Sequence, residues 1–119
     1  METHLGNFEE IILLMAGILG EDAYALKIAE EVELQTKRSV SIGAVHSTLS
    51  RLEDKGFLTS QFGKPSLERG GRRKRIYTVT ALGRHALAAS RQLKQSLWDR
   101  YPDIAINFLF QRDICLSRI

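Results

Sequence analysis

Glu68-Arg69-Gly70-Gly71-Arg72-Arg73-Lys74-Arg75-Ile76-Tyr77-Thr78-Val79 reads as the tip and return strand of a basic hairpin. Gly70 and Gly71 supply a flexible tip, four consecutive cations follow, and Arg73 to Val79 alternates as a strand does. Phe57-Leu58-Thr59-Ser60-Gln61-Phe62 supplies the outgoing strand, and Gly63 to Gly71, with Pro65, forms a long loop between them. From Lys64 to Arg75 there are six basic residues and one acidic, a net +5 in a chain of +3, so the remainder carries −2. Charge focused on so small an element suits a polyanion, because each phosphate neutralised releases bound counterions. A membrane surface or an acidic protein would attract it too, and a solvated basic loop is the plainest reading. The residues before the hairpin decide between these.

Upstream, Leu5, Phe8, Ile11, Ile12, Met15, Ile18 and Leu19 recur at helical spacing, with Leu13 and Leu14 filling the gaps. A helix apolar on so much of its circumference is buried from more than one side, and in a small chain a second subunit can supply the second side. Gly20 closes this helix and Asp22 is the expected cap of the next. Ala25, Ile28, Ala29 and Val32 give the second helix a small-residue face, and Thr36 to Val40 reads as a turn. Ser41 then caps a third helix with an apolar stripe of Ile42, Val45, Leu49 and Leu52. Gly43, Ser47, Arg51 and Asp54 lie roughly opposite, with Ala44 nearby, and Gly56 follows as a C-terminal cap.

Downstream, Thr80 caps a fourth helix from Ala81 to about Arg100, with Leu82, Ala86, Ala89, Leu93 and Leu97 as its seam and Leu87 and Trp98 beside it. Pro102 ends it. The tail after Pro102 is apolar and reads as a short helix or a strap. The expected fold is therefore mainly α with a small β-hairpin: a winged helix-turn-helix over residues 1–80, then a C-terminal dimerisation helix and tail over 81–119.

That order has a physical logic. A recognition helix buries one narrow stripe while its other face enters a major groove about 12 Å wide. Gly43, Ala44 and Ser47 permit close approach, and Ser41 with the N–H groups of the helix start can hold a phosphate. Arg51, further along, reaches the backbone or a guanine, and the basic hairpin lies along the adjacent backbone or minor groove.

Composition agrees. At 119 residues, with 44% hydrophobic and 26% charged residues, the chain has the make-up of one globular domain. Residues 1–36 hold eight acidic side chains and one basic, a net −7, whereas 37–100 hold fourteen basic and four acidic, a net +10. A fold with this division is dipolar, its basic side toward the partner. The single cysteine, Cys115, has no internal disulfide partner and reads as a small apolar residue. Met1 to Asn7 lacks the basic start of a signal peptide, and Ile11 to Leu19 is too short to span a bilayer, so a cytoplasmic protein is expected.

Ser41-Ile42-Gly43-Ala44-Val45-His46-Ser47-Thr48-Leu49-Ser50-Arg51-Leu52-Glu53-Asp54-Lys55-Gly56 resembles the recognition-helix signature of PadR-type transcriptional regulators. So does Glu68 to Thr80, followed by Gly83. Leu5-Gly6-Asn7-Phe8-Glu9 and Asp22-Ala23-Tyr24 also fit, so the resemblance spans residues 5 to about 100. It implies a cytosolic bacterial repressor that binds operator DNA as a homodimer, assembled through the first helix and the helix after the wing. The short C-terminal region is similar to the smaller branch of the family, with a single dimerisation helix. The expected DNA-binding residues are Ser41, Gly43, Ala44, His46, Ser47, Arg51, Arg69, Arg72, Arg73, Lys74 and Arg75. The family commonly has tyrosine where this chain has His46, whose charge varies near neutral pH. Some members respond to small hydrophobic molecules. Phe8, Met15 and Trp98 are the expected lining of such an effector site, two tryptophans facing across a two-fold axis as a flat apolar slot.

Other readings stand beside these. Arg51 can pair locally with Glu53 or Asp54, His46 can be a plain surface residue, and Trp98 can pack in a core or interface. The fold also serves as a protein-interaction module without specific DNA binding, the basic hairpin gripping an acidic partner. His4 and His85 have no metal-ligand spacing to each other or to Cys115. His46-Ser47 is no catalytic pair, since adjacent helix positions diverge and nothing orients the imidazole. No enzyme activity, metal or cofactor is expected.

Overall fold

The computed structural model of the protein describes residues 4–65 and 73–102. Its elements follow in the order α1 (Asn7–Leu19), α2 (Ala25–Thr36), α3 (Ile42–Asp54), β1 (Leu58–Pro65), β2 (Arg73–Val79) and α4 (Ala81–Arg100). This is the mainly helical winged helix-turn-helix expected from the sequence, extended by one C-terminal helix. The hairpin tip, with Arg69 and Arg72, and the apolar tail after Pro102 lie outside the described residues. Among the described residues no helix is long and apolar enough to cross a membrane.

Burial divides the apolar residues of α1 into two sets. Ile12, Leu13, Met15 and Ala16 enter the core, whereas Leu14 and Ile18 are 46% and 73% exposed. Leu14 and Ile18 thus form the second apolar side that the sequence pattern gave this helix, because the core on its own flank cannot bury so many large side chains. Gly20, at φ 57°, ends α1 in a backbone region that favours glycine. Asp22 does not cap α2. It closes a single 3₁₀ turn, Gly20–Asp22, and Tyr24 occupies the cap position with extended backbone. Ala25, Ile28, Ala29 and Val32 are buried as their pattern predicts.

The turn into α3 is held by side chains. The Thr36 hydroxyl donates to the Val32 carbonyl at 2.8 Å, and the Glu33 carboxylate accepts the Val40 N–H at 2.8 Å. Lys37 takes the left-handed conformation at φ 59°. Ser41 then caps α3, its Oγ accepting the Ala44 N–H at 3.0 Å. Val45, Leu49 and Leu52 are fully buried, but Ile42 is 43% exposed and Thr48 completes the inner face instead. Ile42 opens the helix and projects past the edge of the core.

The strands pair antiparallel, from Leu58 opposite Val79 to Phe62 opposite Arg75 and Pro65 opposite Arg73. A bulge between Phe62 and Pro65 sets Gly63 and Lys64 against Lys74 alone. It carries β1 three residues beyond the expected end, with Pro65 at the strand terminus, where its missing N–H costs no ladder bond. The Tyr77 N–H donates to the Ala23 carbonyl at 2.9 Å and fastens the hairpin to the α1–α2 connection.

At the start of α4, the Thr80 Oγ1 accepts the Gly83 N–H at 3.0 Å and donates to the Gly56 carbonyl at 2.6 Å. Ala86 is fully buried. The expected α4 seam is covered only at its beginning: Leu93, Leu97 and Trp98 are 62%, 53% and 59% exposed. Glu10 of α1 holds the emerging helix through Ser90 at 3.0 Å and Lys94 at 2.6 Å.

Candidate nucleic-acid interface

The outer face of α3 is small and open. Ser41, Gly43, Ala44, His46 and Ser47 are all exposed. A Cβ added at Gly43 would meet nothing within 4 Å, so the fold itself makes no demand for glycine there. Arg51 lies one turn beyond Ser47 on this face, its side chain 56% exposed. It is not paired with Glu53 or Asp54. Its Nε donates to the Glu9 carboxylate of α1 at 3.3 Å and its Nη2 to the Thr48 hydroxyl at 3.4 Å.

Glu9 is the acceptor at the centre of this cluster. It is buried and also accepts Lys55 Nζ at 2.9 and 3.1 Å and the Gly6 N–H at 2.8 Å. Burial pushes its carboxyl up, but the Gly6 N–H, Lys55 and Arg51 outweigh that and hold it below the ordinary carboxylate range. Glu9 is therefore ionised at neutral pH.

On the hairpin, Arg73, Lys74 and Arg75 are exposed along β2. Two of these cations rest on aromatic faces. Lys74 Nζ lies 4.0 Å from the centre of the Tyr24 ring, and the Arg75 guanidinium 4.6 Å from that of Phe62. Arg75 Nη1 also donates to Ser60 Oγ at 2.9 Å, and Ser60 donates to the Glu53 carboxylate of α3 at 2.7 Å. The wing is thereby joined to α3. Burial, with Glu53 nearby, pushes the Tyr77 phenol up, so it stays protonated and anchors β2 as a neutral group.

The residues expected to line an effector site are not together in one chain. Met15 is 7% exposed in the core. Phe8 lines a groove with Ile11, Val32 and Val40. Trp98 lines a different one, with Glu10, Leu14, Leu87 and Arg91, and packs edge-on against Tyr101 at 5.8 Å. Glu9 and Tyr24 were not among the expected site residues. Glu9 carries the clearer sequence signal: an acid three residues after Gly6, at the first turn of an apolar helix, in the position where a side chain reaches back to the cap N–H.

A three-helix body with a two-stranded wing defines a winged helix-turn-helix protein. The description "Transcriptional regulator PadR-like family" matches residues 13–89, and the chain belongs to that family. It is a transcription regulator and not an enzyme. No curated protein matches it. Its fold is similar to that of a PadR-like transcription factor from Bacteroides fragilis (TM-score 0.64, 20% identity, 86% of this chain and 88% of that one). It is also similar to a PadR-like transcriptional regulator from Bacillus cereus (TM-score 0.65, 20% identity, 87% and 91%). A Streptococcus transcriptional regulator superposes as well (TM-score 0.65, 17% identity, 82% and 91%).

Proposed function

We propose that the protein is a sequence-specific DNA-binding repressor that acts as a homodimer in the cytoplasm on a pseudo-palindromic operator. One observation carries this reading: the open small-residue face of α3 is coupled, through Glu53, Ser60 and Arg75, to a wing whose cations are held on Tyr24 and Phe62. Gly43, Ala44, His46, Ser47 and Arg51 face base edges in the major groove, with Ser41 at a phosphate. Arg69, Arg72, Arg73, Lys74 and Arg75 lie along the adjacent backbone. The exposed Leu14, Ile18, Leu93, Leu97 and Trp98 on α1 and α4 support a dimer through these helices. Two recognition helices then read half-sites about 10 base pairs apart or a multiple of that. The groove at Trp98 and Leu14 is the place for a small hydrophobic or aromatic effector that releases the DNA.

The test is a salt titration of binding by fluorescence anisotropy. Each phosphate contact contributes about 0.9 to the slope of log K against log salt. Arg72, Arg73 and Lys74 changed together to alanine should weaken binding to every duplex and flatten the slope by about two to three. A slope equal to the parent's would reject the wing as a phosphate-binding element.

A further inference from the structure

Glu9 is an acid aimed at the back of the surface assigned to DNA. It is 7% exposed, and its oxygens accept from Arg51 Nε at 3.3 Å and Lys55 Nζ at 2.9 and 3.1 Å. Arg51 lies in the last turn of α3 and Lys55 at its C-terminal cap, yet neither is sunk with Glu9: their side chains remain 56% and 27% exposed. They reach the surface while their charge is compensated from behind. An unpaired arginine or lysine at that place would bind any phosphate within reach, and such contacts strengthen binding without reading sequence. A guanidinium held by a fixed carboxylate keeps one orientation and keeps donors free for a base edge.

We propose that Glu9 is a positioning residue for DNA recognition: it orients Arg51 toward a base and withholds Arg51 and Lys55 from phosphates, so that sequence-independent binding stays weak. The inference rests on the DNA-binding reading above. A mere cross-link between α1 and α3 would affect stability alone. A restraint on two cations also governs the salt dependence of binding to random DNA.

The experiment measures anisotropy of the full chain on a random-sequence duplex and on an operator obtained by selection, across a range of salt. For Glu9→Gln, the random-DNA slope should steepen by about one to two as the released cations reach phosphates. The preference for operator over random DNA should fall about tenfold as Arg51 loses its orientation. An unchanged slope with an unchanged preference, in a variant folded by circular dichroism, overturns the proposal. Lys55→Gln keeps Glu9 paired with Arg51 and gives a second reading should Glu9→Gln fail to fold. It should leave the random-DNA slope within about half a unit of the parent's, whereas flattening by about 0.9 would show Lys55 already on a phosphate and overturn the proposal. The two readings separate cleanly. A parent chain without salt-dependent DNA binding ends both, and a parent that binds while Glu9→Gln matches it ends only the role of Glu9.

Discussion

Glu9 links acid stability to the end of α3. Its carboxyl is held below the ordinary range, so it binds its proton less readily folded than unfolded. Such a group contributes stability that is complete above the unfolded pKa and is lost as pH falls through the folded one. Glu9→Gln should therefore be less stable than the parent at neutral pH, with the gap closing as pH falls through and below the ordinary carboxylate range. Thermal melts across that range check it, and a constant gap would mean that the carboxylate is not the stabilising species. The partners of Glu9 were not legible in the sequence. Arg51 and Lys55 stand 42 and 46 positions away, and no local spacing encodes a pair that forms only when α1 crosses α3. The same holds for Tyr24 beneath Lys74. What could be read was local: Ser41 as a cap, and Gly43, Ala44 and Ser47 on the face opposite Val45, Leu49 and Leu52.

Among the elements, the join between hairpin and α4 is the tightest. Gly83 packs against the backbone of Phe57, and a Cβ there would clash with the Phe57 carbonyl and come within 2.9 Å of Val79 Cγ1. Backbone cannot yield as a flexible side chain does. Gly83→Ala should cost on the order of 1–3 kcal/mol, despite alanine's better helix propensity. In a domain of this size that lowers the melting temperature by roughly 4–8 °C per kcal/mol. An equal or higher melting temperature would show that α4 can shift away. Element order and the span of α4 were readable because caps and periodicity are local signals. The extra length of β1 was not, since a bulge is a decision taken between two strands. Ile42 was misplaced for a related reason: periodicity gives a face, and the tertiary edge of the core decides how far along the helix that face is covered.

For the whole molecule, the open half of α4 matters most. Every residue from Arg91 to Pro102 is exposed, including Leu93, Leu97 and Trp98. Leu93→Glu combined with Leu97→Glu should convert the proposed dimer to a monomer in light scattering, leave the helical circular dichroism intact, and reduce operator affinity at least tenfold as the second half-site is lost. A double variant that stayed dimeric would place the interface elsewhere. The clasp of Thr80, Gly56 and Gly83 has a mechanical consequence for such an assembly. It sets the angle at which a rod of 20 residues, about 30 Å long, departs from the reading head. Tilting that rod by about 10° would swing its far end through about 5 Å. A small wedge at the clasp would thus be geared up into a change of stride between the two heads, enough to carry them out of step with the turns of the double helix.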